Sequence, residues 1–146
     1  MTHDLDPWLD LYVDATLGKK AFGHMVLDVR SLTSVADVFI LCSGRSNRQV
    51  SAIAEFVRTE LKTHGKTPLS VEGQREGQWV LMDYGHVIIH IFYDSVRRFY
   101  DLEGLWTDAV RIRTETLAAH EQESGDLPEG EGGEDFEEGD FETVIL

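Results

Sequence analysis

The sequence predicts one α/β domain, a mixed sheet of about five strands flanked by helices, followed by a disordered acidic tail. Three observations lead there. Helix-spaced apolar stretches alternate with short apolar runs in the order α-β-β-α-β-β-β-α, the pattern of helices packed on a sheet. Val38, Phe39, Ile40 and Leu41 form an unbroken apolar run, which marks a strand covered on both faces. The charge is divided unevenly along the 146 residues. From Glu115 to Leu146 there are 12 acidic residues and no Lys or Arg, so most of the formal charge of −14 belongs to that segment. The chain therefore divides into a domain at residues 1–114 and a tail at 115–146.

Each element follows from local signals. Asp6-Pro7 reads as a helix start, with Asp6 as N-cap and Pro7 at the first helical position. Trp8, Leu11, Tyr12 and Ala15 give that helix its apolar face. Met25–Val29 and Val35–Cys42 are the first two strands. Ser43-Gly44 ends the second, and Ser46 with Gln49 three residues on is a capping-box pattern opening a helix. Val50, Ile53, Ala54, Val57 and Leu61 form its buried stripe. Gly65 suits the residue after its end, and Pro68 prevents continuation. Leu69–Val71 is a short strand, and Glu72–Gly77 a loop. Gln78–Asp83 and His86–Tyr93 are strands joined through Tyr84-Gly85, a two-residue hairpin turn. Ile88, Ile89, Ile91 and Phe92 make the latter strand the expected sheet centre. Asp94 or Ser95 caps a last helix carrying Val96, Phe99, Leu102 and Leu105. Gly104 weakens it by ~1 kcal/mol relative to Ala, so it is expected to end near Trp106.

Composition narrows the function. The tail is acidic, Gly-rich and poor in apolar residues, so it cannot offset the entropy of ordering. The rest is close to neutral, without a broad basic footprint for nucleic acid and with no direct sequence-specific nucleic-acid binding expected. The single cysteine, Cys42, excludes an internal disulfide and suits a reducing compartment. The acidic N-terminus does not read as a signal peptide, and no apolar run approaches the ~20 residues that span a membrane. A cytoplasmic location is the expectation.

Four groups of residues invite a chemical reading. Ser43-Gly44 before a helix opening at Ser46, with Arg45 and Arg48, has the outline of a phosphate site. Magnesium-dependent nucleotidyl transfer would need paired carboxylates beside it. Asp28, Asp37 and Asp83 are scattered, which favours a simple helix cap. His86 and His90, with Asp83, sketch a metal site, but zinc wants three or four converging ligands. His90 reads instead as a buried, hydrogen-bonded histidine. Cys42 has no base near it in sequence to form a thiolate and reads as a small core residue. No catalytic, metal or cofactor site is expected. The fourth group is an interface. Arg97, Arg98, Tyr100, Asp101, Glu103 and Trp106 crowd one short helix, the mixture that interface hot spots use. Trp79, Leu81 and Asp83 share one strand face, and an exposed Trp79–Leu81 patch would be a contact surface.

Two long blocks, Val35–Val57 (VADVFILCSGRSNRQVSAIAEFV) and Gly77–Trp106 (GQWVLMDYGHVIIHIFYDSVRRFYDLEGLW), resemble the ribosomal silencing factor, or Iojap, family in order and separation. The resemblance spans roughly Pro7 to Arg113. It departs at Val38, where many members carry Tyr. It implies a fold like that of nucleotidyltransferases but a non-enzymatic protein. It further implies a translational repressor that binds large-subunit ribosomal protein number fourteen. Occupying that surface would block the small subunit when nutrients are scarce or in stationary phase. A homodimer when free is also implied. Two other readings are a nucleotidyltransferase-like or nucleotide-binding enzyme built on Ser43–Ser46, and an adaptor that docks through its FETVIL ending.

Overall fold

A computed structural model of the chain describes residues 7–124. Six strands form one mixed sheet in the order β3-β4-β5-β2-β1-β6. They are β1 (Phe22–Asp28), β2 (Val38–Gly44), β3 (Ser70–Glu72), β4 (Trp79–Asp83), β5 (Val87–Tyr93) and β6 (Val110–Arg111). Helices α1 (Leu9–Ala15), α2 (Asn47–Lys62), α3 (Asp94–Phe99) and α4 (Glu115–Ser124) surround it, with a 3-10 helix at Leu102–Trp106. Neighbouring β2 and β5 run parallel, and every other pair is antiparallel. The expected order of the first eight elements holds. β6 is an addition that adds a short edge to β1.

The two central strands are buried along their whole length, as their unbroken apolar runs require. Register and side-chain alternation divide the core into two layers. Val26, Val38, Ile40, Cys42, Val80, Met82, Ile89 and Ile91 point to one face and are wholly inaccessible. That face is closed by α2 through Val50, Ile53, Ala54, Val57 and Leu61. Burying each such aliphatic side chain stabilises the fold by roughly 1.5–3 kcal/mol. Gly44 makes the close packing feasible, because a Cβ there would meet Val50 Cγ2 at 3.1 Å and Ile53 Cδ1 at 3.2 Å.

The capping box at Ser46 forms, with a variation. Gln49 N–H donates to Ser46 Oγ at 3.1 Å. The Gln49 side chain accepts from the Arg45 N–H, one residue before the cap, and donates to the carbonyls of Lys19 and Lys20. Both lysines sit in the left-handed region, at φ 56° and 60°, where side chains other than Gly are strained. Gln49 thus fastens the turn after α1 to the first turn of α2.

Four expectations need correction. α1 begins at Leu9, with Trp8 as an exposed N-cap beneath the Lys66 ammonium. Leu9, Tyr12, Val13 and Ala15 carry its buried face, and Asp6 lies outside the described residues. The β4–β5 hairpin turns one residue later than expected. Tyr84 N–H donates to the Val87 carbonyl, so Gly85 and His86 are the central residues. Gly85, at φ +95°, takes the first position, which is where a type II′ turn demands Gly. The last predicted helix is broken: α3 stops at Phe99, Asp101 turns left-handed at φ 50°, and a 3-10 helix follows. Residues 115–124, assigned to the disordered tail, form α4 against α1. Leu117 is buried there and Thr116 Oγ1 donates to Asp10 Oδ1 at 2.9 Å. One apolar anchor, Leu117, in an acidic segment is too weak a pattern to mark a helix. The FETVIL ending lies outside the described residues. Among those residues, no helix is long and apolar enough to cross a membrane.

Candidate functional site

The second face of the sheet carries Leu27, Phe39, Leu41, Leu81, Ile88, His90, Phe92 and Trp79. Among the described residues no long helix covers it. Its lid is the short segment from α3 to Trp106, whose indole packs edge-on against Phe39 at 5.5 Å and Trp79 at 6.3 Å between ring centres. His90 lies 5.0 Å from the same indole.

Two polar pairings hold this layer, while His90 Nε2 is buried among the described residues without a hydrogen-bond partner. Trp79 Nε1–H donates to His90 Nδ1 at 3.1 Å. That bond requires the proton of the neutral imidazole to sit on Nε2. Burial lowers the His90 pKa from 6.5 to about 3, because a dry site disfavours the charged form. Arg97 Nη1 donates to Ser43 Oγ at 2.6 Å and to the Gly23 carbonyl at 2.9 Å, and Nη2 donates to Glu103 Oε2 at 3.0 Å. The guanidinium also lies over the Phe92 ring. Arg97 therefore clamps the lid to β1 and β2.

This geometry re-sorts the expected contact residues. Trp79 is only 4% exposed, Arg97 5% and Trp106 9%, and Leu81 is buried with them. The expected exposed Trp79–Leu81 patch does not exist, because strand alternation turns both residues beneath the lid. Arg97 is a structural clamp for the same reason. Arg98, Asp101 and Glu103 are exposed, and Asp83 and Tyr100 half-buried. Arg98 pairs with Asp94 at 2.9 Å, and Asp83 Oδ1 accepts from the Gly85 N–H in the hairpin turn.

The lid stops short of the sheet end where β2 and β5 begin, and a groove opens there. Phe39, Leu81, Ile88 and Trp106 line it together with Leu32, Val35 and Leu105. The last three are exposed by 43%, 68% and 58%, unusual for such side chains to be grouped at one rim. Glu72, Asp83 and Asp108 also line it and make its border acidic. No sequence signal marks this rim: Leu32 sits in a polar loop, and Val35 and Leu105 read as members of a strand and a helix stripe.

The other candidate groups take structural places. Cys42 is enclosed, and burial raises its thiol pKa to about 12, so it stays protonated. Ser43 is held by Arg97. His86 lies exposed in the hairpin turn, 3.7 Å from Asp37 Oδ2, and shares no site with His90. Among the described residues no three His, Cys, Asp or Glu side chains converge as metal ligands.

A family described as "Ribosomal silencing factor during starvation" matches residues 3–135. Among similar proteins is a ribosomal silencing factor of Halalkalibacterium halodurans, 36% identical over 107 residues, covering 73% of this chain and 92% of that one. Another, from Chromobacterium violaceum, is 44% identical over 96 residues, covering 66% and 79%. A crystal structure of a Chromobacterium violaceum protein superposes with a TM-score of 0.66 at 36% identity, over 71% of this chain and 87% of that one.

Proposed function

The chain belongs to the ribosomal silencing factor family, and from that premise we propose that it represses translation by occupying the large ribosomal subunit. Its contact is large-subunit protein number fourteen, and its bulk keeps the small subunit from joining under nutrient limitation or in stationary phase. It acts in the cytoplasm, by binding and without catalytic turnover. The observation that supports this reading best is the groove: an aliphatic rim over an aromatic floor, with an acidic border. A basic ribosomal protein surface complements that border, and apolar anchors at the centre supply most of the affinity in such contacts. The same rim would be covered in a free homodimer, so dimer and ribosome compete for it.

Co-sedimentation with separated ribosomal subunits tests this. The protein should travel with the large subunit and not the small one, and should lower subunit joining in proportion. Leu105→Glu places an unpaired charge at the rim and should weaken binding by at least ~2 kcal/mol, roughly thirtyfold, with an unchanged circular dichroism spectrum. A folded variant that binds like the wild type would place the contact elsewhere. Failure of the wild type to bind the large subunit would remove the functional reading itself.

A further inference from the structure

His90 is wholly enclosed, yet no oxygen or nitrogen among the described residues pairs with its Nε2. Trp79 fixes the proton on that atom, because the indole N–H occupies Nδ1 at 3.1 Å. A buried donor that meets no acceptor is costly. The strand register gives the direction in which it points. β5 lies between β4 and β2. Trp79 is diagonal to His90 on β4 and Phe39 diagonal to it on β2, all three on one face of the sheet. The two nitrogens lie on opposite sides of the imidazole, so an Nδ1 turned toward β4 turns Nε2–H toward β2.

The ring on that side is Phe39. Its centre lies 4.6 Å from that of the imidazole, and the two planes cross at 63°. An N–H lies in the imidazole plane and therefore needs a ring that crosses this plane steeply. Phe92 is stacked at 11° and does not. Trp106 crosses at 51° from the lid and is farther away, at 5.0 Å. The face of a benzene ring carries the negative part of its quadrupole and accepts N–H donors. We propose that His90 Nε2–H donates to the face of Phe39, and that through this bond His90 positions the floor of the groove. A Trp79–His90–Phe39 series then crosses β4, β5 and β2. Phe39 passes the constraint to the groove, which its ring lines together with Trp106, 5.5 Å away and crossing it at 81°. A floor held in shape before contact loses less freedom on binding. The effect on binding rests on the groove being the large-subunit contact; the bond itself does not.

The free full-length protein, labelled with nitrogen-15 histidine, tests the bond by NMR at neutral pH. His90 should appear as the Nε2–H tautomer, its proton slow to exchange and shifted upfield by a ring face. The upfield shift should vanish in Phe39→Leu. Replacing Phe39 by pentafluorophenylalanine keeps a ring in place but reverses the charge of its face, and the proton should then exchange several-fold faster. A merely space-filling Phe39 would leave that rate unchanged, which would overturn the proposal. So would a proton shifted downfield, as in a bond to oxygen, or an upfield shift lost in Trp106→Leu and kept in Phe39→Leu. Co-sedimentation with the large subunit tests the positioning. His90→Asn keeps an acceptor for Trp79 on a side chain too short to reach Phe39. It should weaken binding several-fold in the natural background and add little in the fluorinated one, where the bond is already lost. Equal losses in both backgrounds would show that His90 does not act through Phe39. The spectra decide the bond in the free protein, so a wild type that fails to bind the large subunit would count against the groove's function and not against the bond.

Discussion

The two faces of the sheet are built from the same strands by different rules. The face under α2 is mainly aliphatic, and its Val26, Val38, Ile40, Met82, Ile89 and Ile91 are fully inaccessible. The face under the lid is aromatic and holds His90, Ser43 and Arg97, each in a specific hydrogen bond. Several of its members, such as Phe39, Leu81 and Ile88, keep a few per cent of their surface in contact with solvent at the groove. A hydrophobic layer tolerates any neighbour of the right volume. The Trp79–His90 and Arg97–Ser43 bonds of the second layer fix their partners' positions, since breaking either strands a buried group. The first face supplies stability. The second keeps a thin lid in one position over a surface that is left partly open.

The sharpest way to break this contrast is to damage the aliphatic face. Ile53→Ala removes a fully buried branched side chain from α2 and should cost about 2–5 kcal/mol in urea unfolding. A cost below about 1 kcal/mol would mean that α2 is not the main closure of that face.

Truncating the polar pairing of the second face should cost less. Trp79→Phe keeps much of the ring volume but removes the N–H that His90 Nδ1 accepts. The expected loss is about 1–3 kcal/mol, the desolvation cost of an orphaned acceptor. His90→Phe in the same background should recover part of it, because both polar atoms are then gone. Additive losses in the double variant would show that the bond does not couple the two residues.

Acid should weaken the polar face selectively. Burial holds His90 near pKa 3. His24 is lowered to about 4, mainly by burial, with His120 and Arg97 adding to the shift while its bond to the Thr16 carbonyl opposes it. The unfolded chain takes up protons near 6.5, so both groups favour unfolding as pH falls below that value. Their contribution is intact above about pH 6.5 and declines toward pH 4 and pH 3. The slope is about 1.4 kcal/mol per pH unit for each histidine. Unfolding free energies at pH 7, 6 and 5 should show it, and His90→Phe should remove roughly half. A flat profile over that range would mean that protons reach these rings in the folded state.

How much was legible in the sequence follows the same division. The aliphatic stripe of α2 and the two apolar strands were plain, because burial on both faces leaves a continuous or periodic pattern. The cap at Ser46 was plain because its residues are local. The position of Trp79 was not. Alternation placed it with Leu81 and Asp83 but could not say which face would receive the lid, and the break at Asp101 that builds the lid leaves no strong breaker residue. Arg97 reads from sequence as a contact residue, because its structural partners, Ser43 and the Gly23 carbonyl, are remote in sequence.

The smallest effect on the fold should come from the rim, and there the comparison has most to gain. Val35 is 68% exposed beside the groove. Val35→Lys removes little buried area, so its stability should stay within about 0.5 kcal/mol of the wild type. Its effect on large-subunit binding should be far larger, because a cation then faces a basic partner and an apolar anchor is lost together. Raising the salt concentration should recover only the electrostatic part of that loss. Reversing the acidic border instead, with Asp108→Lys, should produce a defect that salt recovers more completely. The two variants, compared by co-sedimentation across a salt series, separate the apolar from the charged contribution of the groove. Identical salt responses would mean that the rim and its border do not act as distinct parts of one contact.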